Sequence, residues 1–126
     1  MLGLTSEAAL ARLRARADLF VMPNLPIPGD MEGFGIVMLE AAAYKVPTVA
    51  ADLEGIRDVV DETTGARVPA GDANAFAATI QRLWADPAHR SALGEGARQR
   101  AMGLGWRHVA GRYVAALADA RANRGR

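Results

Sequence analysis

The 126-residue sequence contains no cysteine, and this absence excludes disulfide bonds and thiolate metal sites. It also lacks any apolar run near the roughly 20 residues that span a bilayer, and its mean hydropathy is close to zero. The first residues, Met1–Glu7, carry no basic stretch followed by a long apolar one, so they do not predict a secretory signal. Together these absences predict a cytoplasmic protein without a transmembrane segment.

An excess of one charge is also lacking. The chain has 15 basic and 14 acidic residues, which gives a net charge of +1. Nucleic-acid-binding proteins usually carry a strong basic excess, so the sequence predicts no nucleic-acid partner. The length suits one domain over residues 1–126, in which about 103–126 form a terminal helix and a basic tail.

The order of the predicted elements favours an α/β fold. Apolar periodicity, capping residues and Pro or Gly breaks predict these elements: helix Glu7–Ala17 capped by Ser6, strand Asp18–Pro23, helix Gly35–Tyr44, strand Pro47–Ala51, a helical turn within Leu53–Asp61, strand Ala66–Val68, helix Ala73–Ala85 capped by Asp72, a helix from Pro87 to about Met102, and a helix over about 106–122. Such alternation is typical of a parallel sheet with right-handed crossovers. Core packing is predicted for one face of the Asp72-capped helix: Phe76, Ile80, Leu83 and Trp84.

The candidate functional site is the turn Glu32–Gly35 together with Glu40. The turn follows the first predicted strand, and ligands of parallel sheets bind beyond the carboxyl ends of strands. Gly33 and Gly35 permit positive φ, and the N–H groups of Phe34, Gly35, Ile36 and Val37 fall in the unpaired first turn of the helix, where an anion is favoured. Carboxylates accept hydrogen bonds from hydroxyls. The pattern therefore predicts a site for a polyhydroxylated, anionic ligand.

A structural interpretation of the same two carboxylates is open. Glu32 would then be a helix-capping acid, and Glu40 a solvated or paired surface residue. The Gly-x-Gly element also lacks the remainder of the dinucleotide-binding fingerprint. In favour of a functional role, the neighbours of Glu40 are all apolar, so an acid at that position is unusual for the local pattern.

Several ordered motifs resemble the retaining glycosyltransferases of family 4. The motifs are Met22–Pro23, Glu32–Ala41, Val46–Ala51, Gly55–Val60, Thr64–Gly65, Val68–Asp72 and Gly105–Trp106. The resemblance spans about Ala17–Leu117. It implies a partial Rossmann-like parallel sheet of about three strands with flanking helices. This sheet would be part of the C-terminal lobe of the two-lobed glycosyltransferase B fold.

The resemblance also implies roles for the site residues. Glu32, as the catalytic-site acid, and the backbone of Gly33, Phe34 and Gly35 would contact the donor sugar. The N–H groups of Ile36 and Val37 would hold the diphosphate, and Glu40 would bind the ribose hydroxyls. The reaction would retain anomeric configuration, with a nucleotide sugar as substrate and with neither a cofactor nor a metal.

Departures from the family pattern imply an incomplete site. The arginine and lysine that neutralise the diphosphate in this family come from a segment that would precede residue 1, and Arg12, Arg14 and Arg16 do not match them. We expect the acceptor lobe to be absent too. We therefore expect a chain truncated at its N-terminal side that binds donor weakly and transfers no sugar alone. Lys45 and Val46 replace the usual glycine after the helix, which implies a different helix C-cap.

Partners and alternative functions follow from the same departures. The first strand would have an open edge, and we expect the missing N-terminal lobe, a homodimer, a swapped assembly or a helix to cover it. One alternative function is a non-catalytic binding or interaction module, as a split-enzyme subunit or a remnant. Another is a fragment like a nucleotide-sugar epimerase, which would need acid–base groups; His89 and His108 stand alone. For Arg57, in a turn beyond the second strand, we expect a surface ion pair.

Overall fold

The structure is a computed structural model, and it describes residues 5–27, 35–105, 110–111 and 114–115. The elements are α1 Glu7–Arg16, β1 Phe20–Met22, α2 Ile36–Ala43, β2 Thr48–Ala51, α3 Glu54–Arg57, β3 Gly65–Val68, α4 Ala73–Ala85 and α5 Pro87–Gly103. All of them were predicted, with ends that differ by at most two residues where a full span was given. The last predicted helix lies mostly outside the described residues.

The three strands form one parallel sheet in the order β1-β2-β3. Val21 is level with Val49, and Val49 with Ala66, so these side chains share one face. The central strand β2 is buried along its whole length, as parallel strands covered by helices on both faces usually are. The predicted α/β class and the number of strands are therefore confirmed.

A separate apolar cluster covers each face of the sheet. On one face, strand residues pack with side chains of α4 and α5: Val49, Ala51, Val68, Phe76, Leu83 and Leu93. On the other face, Ala50 packs with α2 and with the chain around α3: Met38, Ile56, Val59 and Val60. Each large buried side chain contributes about 1.5–3 kcal/mol relative to exposure, so the two clusters hold α2 and α4 against the sheet.

Trp84 departs from the predicted core face of α4. Phe76 and Leu83 are buried as predicted, whereas Trp84 is 61% exposed. Successive helical residues point about 100° apart, so Leu83 and its neighbour Trp84 cannot both face the sheet. The Arg90 guanidinium lies 5.4 Å from the Trp84 ring centroid and donates to the carbonyls of Leu83 and Trp84. The tryptophan thus covers an arginine that caps the end of α4.

Helix α5 lies against the amino-terminal ends of the strands. A Cβ added at Gly94 would be 2.2 Å from the carbonyl oxygen of Lys45, and one at Gly96 would be 2.1 Å from that of Thr63. Lys45 shortly precedes β2 and Thr63 shortly precedes β3. These contacts place α5 across the start of both strands, at the edge opposite the predicted site.

The C-terminus of α2 corrects one expectation. Lys45 has φ 61, its N–H donates to the carbonyl of Ala42 at 2.9 Å, and the N–H of Val46 donates to that of Ala41 at 3.2 Å. This is the Schellman arrangement that glycine usually completes. The expectation of a different cap was wrong because lysine can adopt the left-handed conformation, at a cost of roughly 1–2 kcal/mol.

Candidate functional site

The start of α2 is held by Gly35 in the left-handed conformation, with φ 64 and ψ 45. Gly35 thus adopts the positive φ that glycine permits. Gly35 has no side chain to cap the helix, and the first turn contains no acid. The N–H of Met38 donates to the Gly35 carbonyl at 2.8 Å. The two preceding N–H groups, of Ile36 and Val37, belong to the orphan first turn, for which no residue of the helix supplies an acceptor.

The first turn of α2 is accessible. Ile36 is 60% exposed and Val37 is 44% exposed, although both are apolar. A Cβ at Gly35 would be 2.0 Å from the Cε of Met38, so glycine keeps both the backbone conformation and the space beneath it. The other members of the predicted turn, Glu32, Gly33 and Phe34, lie outside the described residues.

Glu40 lies one helical turn beyond Ile36, on the same side of α2. The Nη2 of Arg14, on α1, donates to its Oε2. The side chain of Arg14 is 20% exposed and that of Glu40 is 43% exposed. Glu40 is therefore a paired residue, as the structural interpretation expected, yet more than a third of its side chain surface is accessible.

Sequence reasoning did not find the partner of Glu40. The two residues are 26 positions apart, and their contact depends on how α1 lies against α2. One local signal exists. Arg14 follows Leu10 by one helical turn on the half-buried side of α1, and an arginine on that side needs a polar partner.

A second charged group lies at the carboxyl ends of the strands. Asp52 follows β2 directly, and it accepts hydrogen bonds from Nε and Nη2 of Arg57 at 2.9 and 3.2 Å. Nε of Arg67, on β3, lies 3.6 Å from the same carboxylate. The Arg57 hydrogen bond lowers the pKa of Asp52, partial desolvation opposes it, and the charges of Arg57 and Arg67 lower it further. The surface ion pair predicted for Arg57 is confirmed.

The loop after β1 crosses towards β3. Leu25 Cδ2 would be 3.6 Å from a Cβ at Gly71, which follows β3 and has φ 81. The segments after β1, β2 and β3 thus lie together at one edge, where parallel sheets bind ligands. Sequence reasoning placed the site at this edge but did not identify Arg67 or the Leu25–Gly71 contact.

The described part of the chain contains neither a cluster of metal ligands nor a membrane-spanning helix. Within it, no three His, Asp or Glu side chains are grouped as metal ligands. Among its helices, none is long and apolar enough to cross a membrane.

Comparison with known proteins gives a consistent result. The family model described as glycosyl transferases group 1 matches residues 1–86. The D-inositol 3-phosphate glycosyltransferase of Kineococcus radiotolerans is 38% identical over 112 residues, which cover 79% of this chain and 26% of that protein. The amylovoran biosynthesis glycosyltransferase AmsK of Erwinia amylovora is 34% identical over 85 residues, or 66% of this chain and 21% of that protein.

A solved structure agrees with these sequence matches. Sucrose-phosphate synthase from Thermosynechococcus elongatus superposes with a TM-score of 0.75 and 34% identity, over 97% of this chain and 30% of that one. The chain thus spans about a quarter of the length of the curated relatives it matches. With a family model over most of its length and a similar fold in a solved relative, the chain belongs to the group 1 glycosyltransferases.

Proposed function

We propose that this chain is the donor-binding part of a retaining glycosyltransferase that uses a nucleotide sugar and needs no metal to bind it. The observation that carries the proposal is the start of α2, where Gly35 leaves an accessible helix terminus without a side-chain cap. That terminus lies beyond the carboxyl end of β1, and Glu40 lies one turn further along the same helix.

The diphosphate of the donor would bind at the N–H groups of Ile36 and Val37. The positive end of a helix stabilises an anion by about 0.3–1 kcal/mol, and by up to ~2 kcal/mol in a partly buried site. No acidic side chain in the first turn of α2 competes for this position. Backbone donors suit a diphosphate because they are fixed before the ligand arrives.

The nucleoside and the sugar would be held by carboxylates. Glu40 would accept hydrogen bonds from the ribose hydroxyls, each worth about 1.5–3 kcal/mol for a charged acceptor. Glu32 would accept from the transferred sugar, close to the reacting centre, and the backbone of Gly33–Gly35 would lie against that sugar. These residues bind and orient the donor, while an acceptor would have to approach from outside the 126 residues.

The 126 residues alone should bind donor only weakly. Association costs about 4–15 kcal/mol, which offsets most of what one helix terminus and two carboxylates supply. We therefore expect a dissociation constant in the millimolar range and no sugar transfer, since the described residues include no second lobe that could position an acceptor or exclude water from it. A second lobe, matching the remainder of the relatives, would be the partner that completes the site.

A titration of the 15N-labelled chain with UDP- and GDP-sugars tests the site. We expect the amide signals of Ile36 and Val37 to shift with millimolar affinity. Glu40→Gln should weaken binding about tenfold, the equivalent of losing ~1.4 kcal/mol, while Glu62→Gln, an exposed acid elsewhere, serves as the matched control. Micromolar affinity would contradict the weak-binding proposal, and shifts confined to other elements would contradict the site.

One observation favours a second candidate, a non-catalytic binding module. Glu40 already has a partner in Arg14, as a purely structural acid would. Under this alternative the chain is a remnant, or a subunit of a split enzyme. Adding a separately produced second lobe from a family 4 relative distinguishes the possibilities, because restored sugar transfer would identify a split enzyme and continued inactivity would favour the remnant.

A further inference from the structure

The contact between Arg14 and Glu40 is asymmetric. Only one nitrogen of Arg14, Nη2, donates to Glu40, and it donates to Oε2. In the described residues, no group donates to the other carboxylate oxygen, Oε1. The guanidinium is the more buried of the two side chains, whereas Glu40 remains 43% exposed. The pair therefore uses one side of the carboxylate and leaves the other side available.

We propose that Arg14 is a positioning residue for the ribose of the nucleotide. It fixes the Glu40 side chain through Oε2 and leaves Oε1 as the acceptor for a ribose hydroxyl. The inference rests on the proposed role of Glu40 in donor binding. Arg14 itself does not touch the substrate; it acts by keeping Glu40 in one conformation.

Preorganisation is the physical reason for this role. A free glutamate side chain has several rotamers, and a ligand that needs one of them must supply the entropy lost in ordering it. Arg14 orders the side chain before the nucleotide arrives. Its own position is favourable, because it lies in the last turn of α1, where the helix dipole stabilises a cation.

Competition is the opposing possibility. If ribose needed the oxygen that Arg14 occupies, the ion pair would have to break, and removing Arg14 would then strengthen binding. The single hydrogen bond favours positioning, since a two-pronged arginine–carboxylate contact would have occupied both oxygens. An Arg14 substitution weakens binding if Arg14 positions Glu40, and it strengthens binding if Arg14 competes with the ribose.

The test compares UDP with 2′,3′-dideoxy-UDP, which lacks both ribose hydroxyls, by following the amide signals of α2. The measured quantity is the ratio of the two affinities within each variant. A partly unfolded variant binds both ligands less well but keeps the ratio, so loss of the fold alone cannot imitate the expected result. The variants are Arg14→Met, the conservative Arg14→Lys, and the control Arg16→Met on the same helix.

We expect the wild-type chain to prefer UDP by about tenfold, and Arg14→Met to lower this preference about three- to tenfold. Arg14→Lys should restore part of it, because lysine keeps one charged donor, and Arg16→Met should leave it unchanged. An unchanged or larger preference in Arg14→Met would overturn the inference while leaving the role of Glu40 intact. A wild-type chain that does not distinguish the two ligands, or binds neither, would overturn the proposed role of Glu40 and this inference with it.

Discussion

The backbone carbonyl of Lys45 lies directly against Gly94, so close that a Cβ at Gly94 would be 2.2 Å from its oxygen. This contact brings α5 against the end of α2 at the amino-terminal edge of the sheet. Because α2 also carries the candidate site at its other end, the packing of α5 fixes the helix on which the site is built.

Replacing Gly94 with alanine should therefore destabilise the fold. Alanine favours a helix over glycine by up to about 1 kcal/mol, but here the new methyl group meets a backbone atom, which cannot move away as a flexible side chain could. Such overpacking typically costs about 1–3 kcal/mol. We expect urea denaturation to show a net loss of about 1–2 kcal/mol in the free energy of unfolding.

Gly103→Ala is the matched control for this prediction. Gly103 is in the same helix, and a Cβ there would meet nothing within 4 Å. This substitution should be neutral or stabilising by up to about 1 kcal/mol. Equal effects of the two substitutions would show that the close approach of α5 to Lys45 is not tight.

Lys45→Gly should stabilise the protein. Lys45 holds a left-handed conformation, with φ 61, which costs a non-glycine residue about 1–2 kcal/mol, although glycine loses more backbone entropy on folding. The comparison variant is Lys45→Ala. Like Lys45→Gly, it removes the exposed ion pair with Glu95, but it keeps the strained backbone conformation. We expect the free energy of unfolding of Lys45→Gly to exceed that of Lys45→Ala by about 1 kcal/mol. The opposite order would refute strain at this position.

The sequence predicted the elements because their signals are local. Ser6 and Asp72 accept hydrogen bonds from the N–H groups of Ala9 and Ala75, so both predicted caps are present. Local signals do not identify the partner of Arg14 or the direction in which Trp84 points. Whether Arg14 finds Glu40 depends on how two helices lie, and whether Trp84 or Leu83 faces the sheet depends on a rotation of α4 that apolar spacing alone leaves undecided.

Leu83 and Trp84 should differ sharply on truncation although they are neighbours. Leu83 is 1% exposed and belongs to the core cluster with Phe76, so Leu83→Ala should cost about 2–5 kcal/mol. Trp84→Ala should cost about 1 kcal/mol, the scale of an exposed cation–π contact with Arg90. Thermal unfolding of both variants measures the difference, and a larger loss at Trp84 would contradict its exposed position.

The Asp61–Arg100 pair should make stability depend on acid pH. Burial raises the pKa of Asp61, but hydrogen bonds from the Thr63 hydroxyl and N–H, together with the Arg100 charge and hydrogen bond, outweigh it and lower this pKa below 3.8. The folded state therefore releases the proton more readily than the unfolded chain. Its contribution is complete above about pH 5 and is lost as the pH falls below 3.8 through the folded pKa.

Asp61→Asn tests this dependence. At pH 7 the variant should be less stable by about 1–2 kcal/mol, because a partly exposed charged hydrogen bond is lost. As the pH is lowered from 7 to 3, the urea midpoints of the two proteins should converge, because the wild-type carboxylate is protonated. The exposed neighbour Glu62 gives the control, Glu62→Gln. A difference that stays constant down to pH 3 would show that the charge of Asp61 contributes nothing.

The edge of β1 should make the isolated chain self-associate. In the described residues β1 pairs only with β2. The N–H of Phe20 donates to the carbonyl of Pro47. Successive residues of a strand direct their backbone groups to opposite sides, so the N–H and C=O of Val21 point to the side without a neighbouring strand. Unpaired strand edges of this kind attract a second chain. Light scattering at increasing concentration should therefore show dimers or larger species.

Val21→Lys should suppress this association, because a charge on an edge strand opposes pairing with a second copy. Val21 is already exposed, so the substitution costs little packing. Leu13→Lys places the same charge at a similarly exposed apolar residue on α1 and should leave association unchanged. If both substitutions abolish it, the chains associate through a general apolar surface instead of the strand edge. If the wild-type chain is a monomer at high concentration, the edge is not used for self-association, and the proposed second lobe is then the partner that we expect to cover it.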